Sequence, residues 1–70
     1  MRQRIENSVS RIWTRAELNV TVRQARENGF RVTRDEDMTE IRDILNNRIV
    51  LRALYNGQVE IVRFDETYFE

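Results

Sequence analysis

The run RIVLRALYNGQVEIVRF, residues 48 to 64, constrains this chain more than any other. Asn56-Gly57 stands between two β-rich segments and tolerates the positive φ angles of a type I′ turn, so a C-terminal β-hairpin is predicted, with strands near 48–55 and 58–65. With a two-residue loop, Ile49 faces Phe64, Leu51 faces Val62 and Ala53 faces Glu60. One face then carries Ile49, Leu51, Ala53, Tyr55, Val62 and Phe64, and is expected to pack on a helix. The other carries Val50, Arg52, Leu54, Val59, Ile61 and Arg63, which is unusually apolar for a solvated surface and is read as a partner-binding face. The alternative is that a second helix or the N-terminal arm covers it.

The helix comes from TRAELNVTVRQARENGF, residues 14 to 30. Thr14 and Glu17 have capping-box spacing, Trp13 is placed to staple onto Leu18, and Gly29 followed by Phe30 is a Schellman-type stop, which predicts a helix over 15–28. The alternation of Leu18, Val20 and Val22 favours a strand instead, but two agreeing caps outweigh it. Downstream, Phe30 and Val32 alternate with Arg31 and Thr33 as in a short strand. Asp37 and Glu40 repeat the capping spacing, and Met38, Ile41 and Leu45 recur at helical intervals, so a short helix over 38–46 is expected. The competing reading is a strand over 39–45 turned by Asn46-Asn47. Ile5, Val9 and Ile12 suggest a frayed helix or an ordered arm over 2–12, and the aromatics of the terminal DETYFE either pack home or dock elsewhere. The fold class expected is α+β: a small single domain spanning 1–70, with one or two helices packed on an antiparallel sheet that contains the C-terminal hairpin.

A 70-residue chain lies near the lower limit for an unstapled core, which typically supplies about 3–5 kcal/mol. It has no Cys for a disulfide and neither His nor Cys for zinc, so added stability must come from packing, self-association or a partner. Missing His, Cys and Lys also remove the commonest general base, the most reactive nucleophile and the Schiff-base former, and no enzymatic activity is expected. Asp35, Glu36, Asp37 and Glu40 offer oxygens to a divalent cation, but the glycine and the twelve-residue spacing of an EF-hand are lacking. Gly29 and Gly57 alone cannot build a phosphate loop; neither metal nor cofactor is expected. The N-terminal stretch has no apolar signal-peptide core and no run reaches the length of a membrane span, so a cytoplasmic location away from membranes is expected.

Charge is divided along the chain. Residues 1 to 34 hold eight Arg against three Glu, whereas residues 35 to 70 hold four Arg against nine acids, and no Lys occurs anywhere. Acids at a helix N-terminus offset its dipole, which explains Asp35 to Glu40 without any partner. Association of the basic half of one copy with the acidic half of another is a second explanation, and an external partner for one half a third. Within RAELNVTVRQAREN, the segment ELNVT resembles the turn of helix-turn-helix DNA-binding motifs. That resemblance implies nucleic-acid binding by Arg11, Arg15, Arg23 and Arg26, with Arg23 and Arg26 as base or phosphate readers and the hairpin as a wing in a winged-helix variant. The sequence departs from the pattern at Arg15 and Asn28, where the motif would bury apolar groups. The function expected first is a small protein-interaction module, a regulator, inhibitor or adaptor of the kind that phages and mobile elements encode, bound to another protein or to itself as a homodimer. The alternative is a nucleic-acid-binding regulator.

Overall fold

A computed structural model describes residues 11–69. The expected segment 2–12 therefore falls largely outside the described residues; only its end is seen, as part of strand β1 (Arg11–Trp13). Helix α1 (Arg15–Glu27) follows, then β2 (Arg31–Arg34), β3 (Met38–Asp43), β4 (Arg48–Tyr55) and β5 (Val59–Phe64), with a closing 3-10 turn over Glu66–Phe69. The five strands form one antiparallel sheet in the order β1-β5-β4-β3-β2. The α+β class is as expected, with one α-helix among the described residues. No helix among the described residues is long and apolar enough to cross a membrane.

Helix α1 begins and ends where its sequence specifies. The Thr14 hydroxyl accepts from the Glu17 amide at 3.1 Å and the Glu17 carboxylate accepts from the Thr14 amide at 2.8 Å, a closed capping box. At the other end Gly29 adopts φ 84°, the Phe30 amide donates to the Ala25 carbonyl at 2.9 Å and the Gly29 amide to Arg26 at 3.1 Å, which is the Schellman pattern. Leu18, Val22 and Ala25 share one helical face and are buried to 2% exposure or less. A 13-residue helix rises about 20 Å, and four steps between neighbouring strands span about 19 Å, so α1 is long enough to carry the chain from edge strand β1 to the opposite edge β2.

Beneath α1 lie Ile41, Val50, Leu51, Ala53, Val59 and Ile61, which complete the core. Aromatic rings close its flank. Trp13 meets Phe64 edge-on at 5.1 Å between centroids, Phe69 stacks on Phe64 at 5.5 Å, and Phe30 meets both Tyr68 and Phe69 edge-on. The aromatic tail thus packs home, and the amide of Asp65 anchors its start by donating to the Val50 carbonyl at 2.9 Å.

Two expectations are corrected. Residues 38–46 do not form a helix: Met38–Asp43 is strand β3, turned through Asp43 to Arg48 with Asn47 at φ 58°. Thr39 and Ile41 are fully buried on one face while Glu40 and Arg42 point to the other, so pairing with β2 and β4 enforces a period of two over the competing helical spacing. Asp35 caps a turn instead, its carboxylate accepting from the amides of Asp37 at 2.8 Å and Met38 at 3.0 Å, which is the same local chemistry that suggested a helix start.

The hairpin register is also shifted. Tyr55 pairs with Val59, so the loop has three residues, Asn56, Gly57 and Gln58, and every side chain at the start of β5 changes face. Two β-bulges follow. Val50 is left without a partner on β3, so that both Val50 and Leu51 are buried, and Val62 is left without a partner on β4. Val50, Val59 and Ile61 therefore belong to the core, and Ile49 and Val62 do not.

Ile61→Ala is accordingly expected to cost about 2–5 kcal/mol in urea unfolding, comparable with the whole margin of a domain this size. Val62→Ala should change it by under about 1 kcal/mol, because that side chain lies outside the core. Equal losses from the two variants would contradict the register.

Candidate functional site

Core and cover occupy one side of the sheet. On the other side, register places Arg31 and Thr33 from β2, Met38, Glu40 and Arg42 from β3, Arg52 and Leu54 from β4, Glu60 and Arg63 from β5, and Ile12 from β1. Among the described residues, α1 and the tail both pack on the opposite side. Arg42, Asn47, Ile49, Arg52, Val62 and Arg63 line a shallow hollow in this open face.

Cross-strand pairing sets the electrostatics of that face. Arg31 is directly opposite Arg42, and Arg52 is directly opposite Arg63, so four adjacent strands contribute a band of four guanidiniums. Glu40 sits among them, 3.3 Å from Arg42 Nε and 3.8 Å from Arg52 Nε. Arg42 also donates to the Asn47 carbonyl at 3.0 Å and Arg63 to the Ile49 carbonyl at 3.2 Å, which holds both side chains against the sheet. Glu40 thus pairs with two of the four cations, Glu60 is a second carboxylate on this face opposite Leu54, and Ile49, Val62 and Leu54 are interleaved.

The sequence-predicted partner residues are split by the sheet. Arg52, Leu54 and Arg63 lie on the open face as expected, whereas Val50, Val59 and Ile61 are 0%, 3% and 1% exposed beneath α1 and have no part in a surface. Arg31, Arg42, Ile49 and Val62 were missing from the expected set. A signal existed for Val62 alone, since a three-residue loop read with the same alternation puts Val62 outward and Ile61 inward; Arg31, Arg42 and Ile49 depend on strand β3 and on the bulge in β4.

Of the arginines assigned to nucleic acid, Arg11 stands apart, whereas Arg15, Arg23 and Arg26 fall at helical spacing along one stripe of α1. Arg11 lies beside the Phe64 ring at 6.0 Å and Arg15 over the Tyr55 ring at 4.9 Å. Arg23 and Arg26 are exposed on α1 and border a separate hollow with Asn19, Val22, Glu27 and Arg34. The ELNVT segment contains no turn; it lies inside the unbroken helix Arg15–Glu27, so the helix-turn-helix geometry does not form.

A polar network anchored on buried Thr39 lies at the β2 end of the helix side, with Asn19 and Arg34 exposed. The hydroxyls of Thr39, fully buried, and Tyr55 are hydrogen-bonded to each other. Arg34 donates from Nε to Thr39 Oγ1 at 3.2 Å and from Nη2 to Asn19 Oδ1 and Tyr55 Oη, each at 3.3 Å. Partial burial pushes the Tyr55 phenol upward, but hydrogen bonds from Thr39 and Arg34 and the charges of Arg34 and Arg15 outweigh it and leave it below its ordinary value of 10.0. No group of three acidic side chains among the described residues is placed to hold a metal ion.

Comparison with protein-family models, with curated proteins and with solved structures found no match. Function is therefore argued from the surfaces alone. One consequence of the polar network is already measurable. A phenol whose pKa is lower folded than unfolded adds stability that is complete above the unfolded value and fades as pH falls through the folded one. Tyr55→Phe should abolish the part of the rise in urea midpoint that wild type shows as pH climbs toward 10.0. Parallel profiles for the two proteins would show that the network does not favour the phenolate.

Proposed function

We propose that this protein is a non-enzymatic binding module whose open sheet face docks an acidic, partly apolar segment of another protein, in the manner of a small regulator, inhibitor or adaptor. The observation that carries this reading is the pair of like-charge contacts, Arg31 opposite Arg42 and Arg52 opposite Arg63. Opposed like charges on a sheet destabilise it, by up to about 1 kcal/mol per pair, and a domain of this size has little stability to spare. An anionic partner relieves that repulsion and makes it useful. Carboxylates accept bidentate hydrogen bonds from guanidinium groups, and the interleaved Ile49, Val62 and Leu54 offer apolar contact between them.

The aromatics argue for protein over nucleic acid on this face. Single-stranded bases are bound by stacking on exposed rings, and Trp13, Phe30, Tyr55, Phe64, Tyr68 and Phe69 all pack against the helix-side core.

Arg63→Glu tests the reading, because it replaces one like-charge pair by an opposite-charge pair. The free variant should be more stable than wild type by up to about 1 kcal/mol and should lose a protein that wild type captures at the same salt concentration. Sedimentation equilibrium of both proteins separates capture of another protein from self-association. A variant that retains the captured protein, or that is destabilised, overturns the assignment of this face.

A further inference from the structure

A second site lies across the sheet and does not depend on the open face. Asn19, Arg23 and Arg26 are spaced i, i+4 and i+7 along α1, so they form one stripe, and Arg34 of β2 comes up beside them to border the same hollow. The guanidinium of Arg34 is held by three neutral oxygens, Thr39 Oγ1, Asn19 Oδ1 and Tyr55 Oη. Asp35, Glu36 and Asp37 follow it immediately in sequence, yet none pairs with it, and Asp35 spends its carboxylate on turn amides. Among the described residues, Arg23, Arg26 and Arg34 form no salt bridge, although Glu27 also borders the hollow.

The arrangement is that of a preorganised cation. A guanidinium normally meets a carboxylate; here it is oriented by a fully buried Thr39 and a half-buried Tyr55, keeping its Nη1 donors and its charge unspent. Arg23 and Arg26 add two long side chains able to close on the same point. We propose that the hollow between α1 and β2 binds a phosphate group, with Arg34 as its fixed ligand and Arg23 and Arg26 as closing ligands. Three guanidiniums with planar donor forks suit the several oxygens and the double charge of a phosphate better than the two oxygens and single charge of a carboxylate. A terminal phosphate of an organic molecule and the phosphodiester backbone of a nucleic acid share this chemistry.

Tyr55 reports on occupancy. A bound anion beside Arg34 adds negative charge near the phenol and screens the cation, so it raises the Tyr55 titration midpoint. In a Tyr68→Phe background, phenolate absorbance follows Tyr55 alone. Inorganic phosphate and an oligothymidylate lacking a terminal phosphate are the two probes, each compared with chloride at equal ionic strength. Phosphate is expected to raise the midpoint saturably, and Arg34→Gln is expected to weaken its binding about tenfold or more. Asn19→Asp, an exposed change that leaves the fold intact, is expected to do the same by supplying Arg34 with a carboxylate of its own. Saturable response to the oligonucleotide alone, with the same dependence on Arg34 and Asn19, assigns the phosphate to a nucleic-acid backbone. Absence of any response beyond the chloride control, or equal affinity in wild type, Arg34→Gln and Asn19→Asp, overturns the proposal.

Discussion

Among the described residues, one α-helix of thirteen residues covers five strands, and the rest of the described structure depends on how that cover is placed. Leu18, Val22 and Ala25 project from α1 onto the sheet, and the chain builds its core where they land. The flank that α1 does not reach is closed by aromatic rings, with Phe30, Tyr68 and Phe69 drawn in around Phe64. All the large rings are thereby used on one side. The opposite side is left to arginines and medium-sized aliphatics, so its character is electrostatic and not aromatic.

Two bulges then decide which residues meet on each side. By leaving Val50 unpaired, β4 keeps the consecutive Val50 and Leu51 in the core, and by leaving Val62 unpaired, β5 sets Arg63 opposite Arg52. A sheet selected for stability alone would place a carboxylate at one of those positions. Glu40 shows that such pairing is within reach, since it serves both Arg42 and Arg52. Arg31 and Arg63 beside it form no salt bridge among the described residues.

The division of charge along the chain resolves differently in three dimensions than helix capping at 35–40 describes. The acids that follow Arg34 turn β2 into β3, while the arginines are distributed to both sides of the sheet through strands and helix. Cations from the basic first half, Arg23, Arg26 and Arg34, gather beside α1; cations from the acidic second half, Arg42, Arg52 and Arg63, gather on the open face. Linear charge counts average over this separation, so a chain of zero formal net charge still presents two positive surfaces.

The sequence by itself determined what depends on neighbours a few residues apart. Thr14, Glu17, Gly29 and Phe30 bounded α1 because their hydrogen bonds close within three to five residues, and Asn56-Gly57 marked the hairpin because its backbone preference is intrinsic. It did not determine whether Asp35 to Leu45 would be strand or helix, since the same carboxylate chemistry caps a turn or a helix start, and only pairing with both β2 and β4 settles the period. Nor did it determine the hairpin register, where one additional loop residue exchanges Ile61 for Val62 at the core. Half of the expected partner face, Arg52, Leu54 and Arg63, survived that exchange because β4 alternates as predicted after its bulge and the bulge at Val62 returns Arg63 to the open side. The Arg34, Thr39, Tyr55 and Asn19 network left no sequence signal, because its members lie 5 to 21 residues from their partners and are brought together only by strand order and by the helix crossing the sheet.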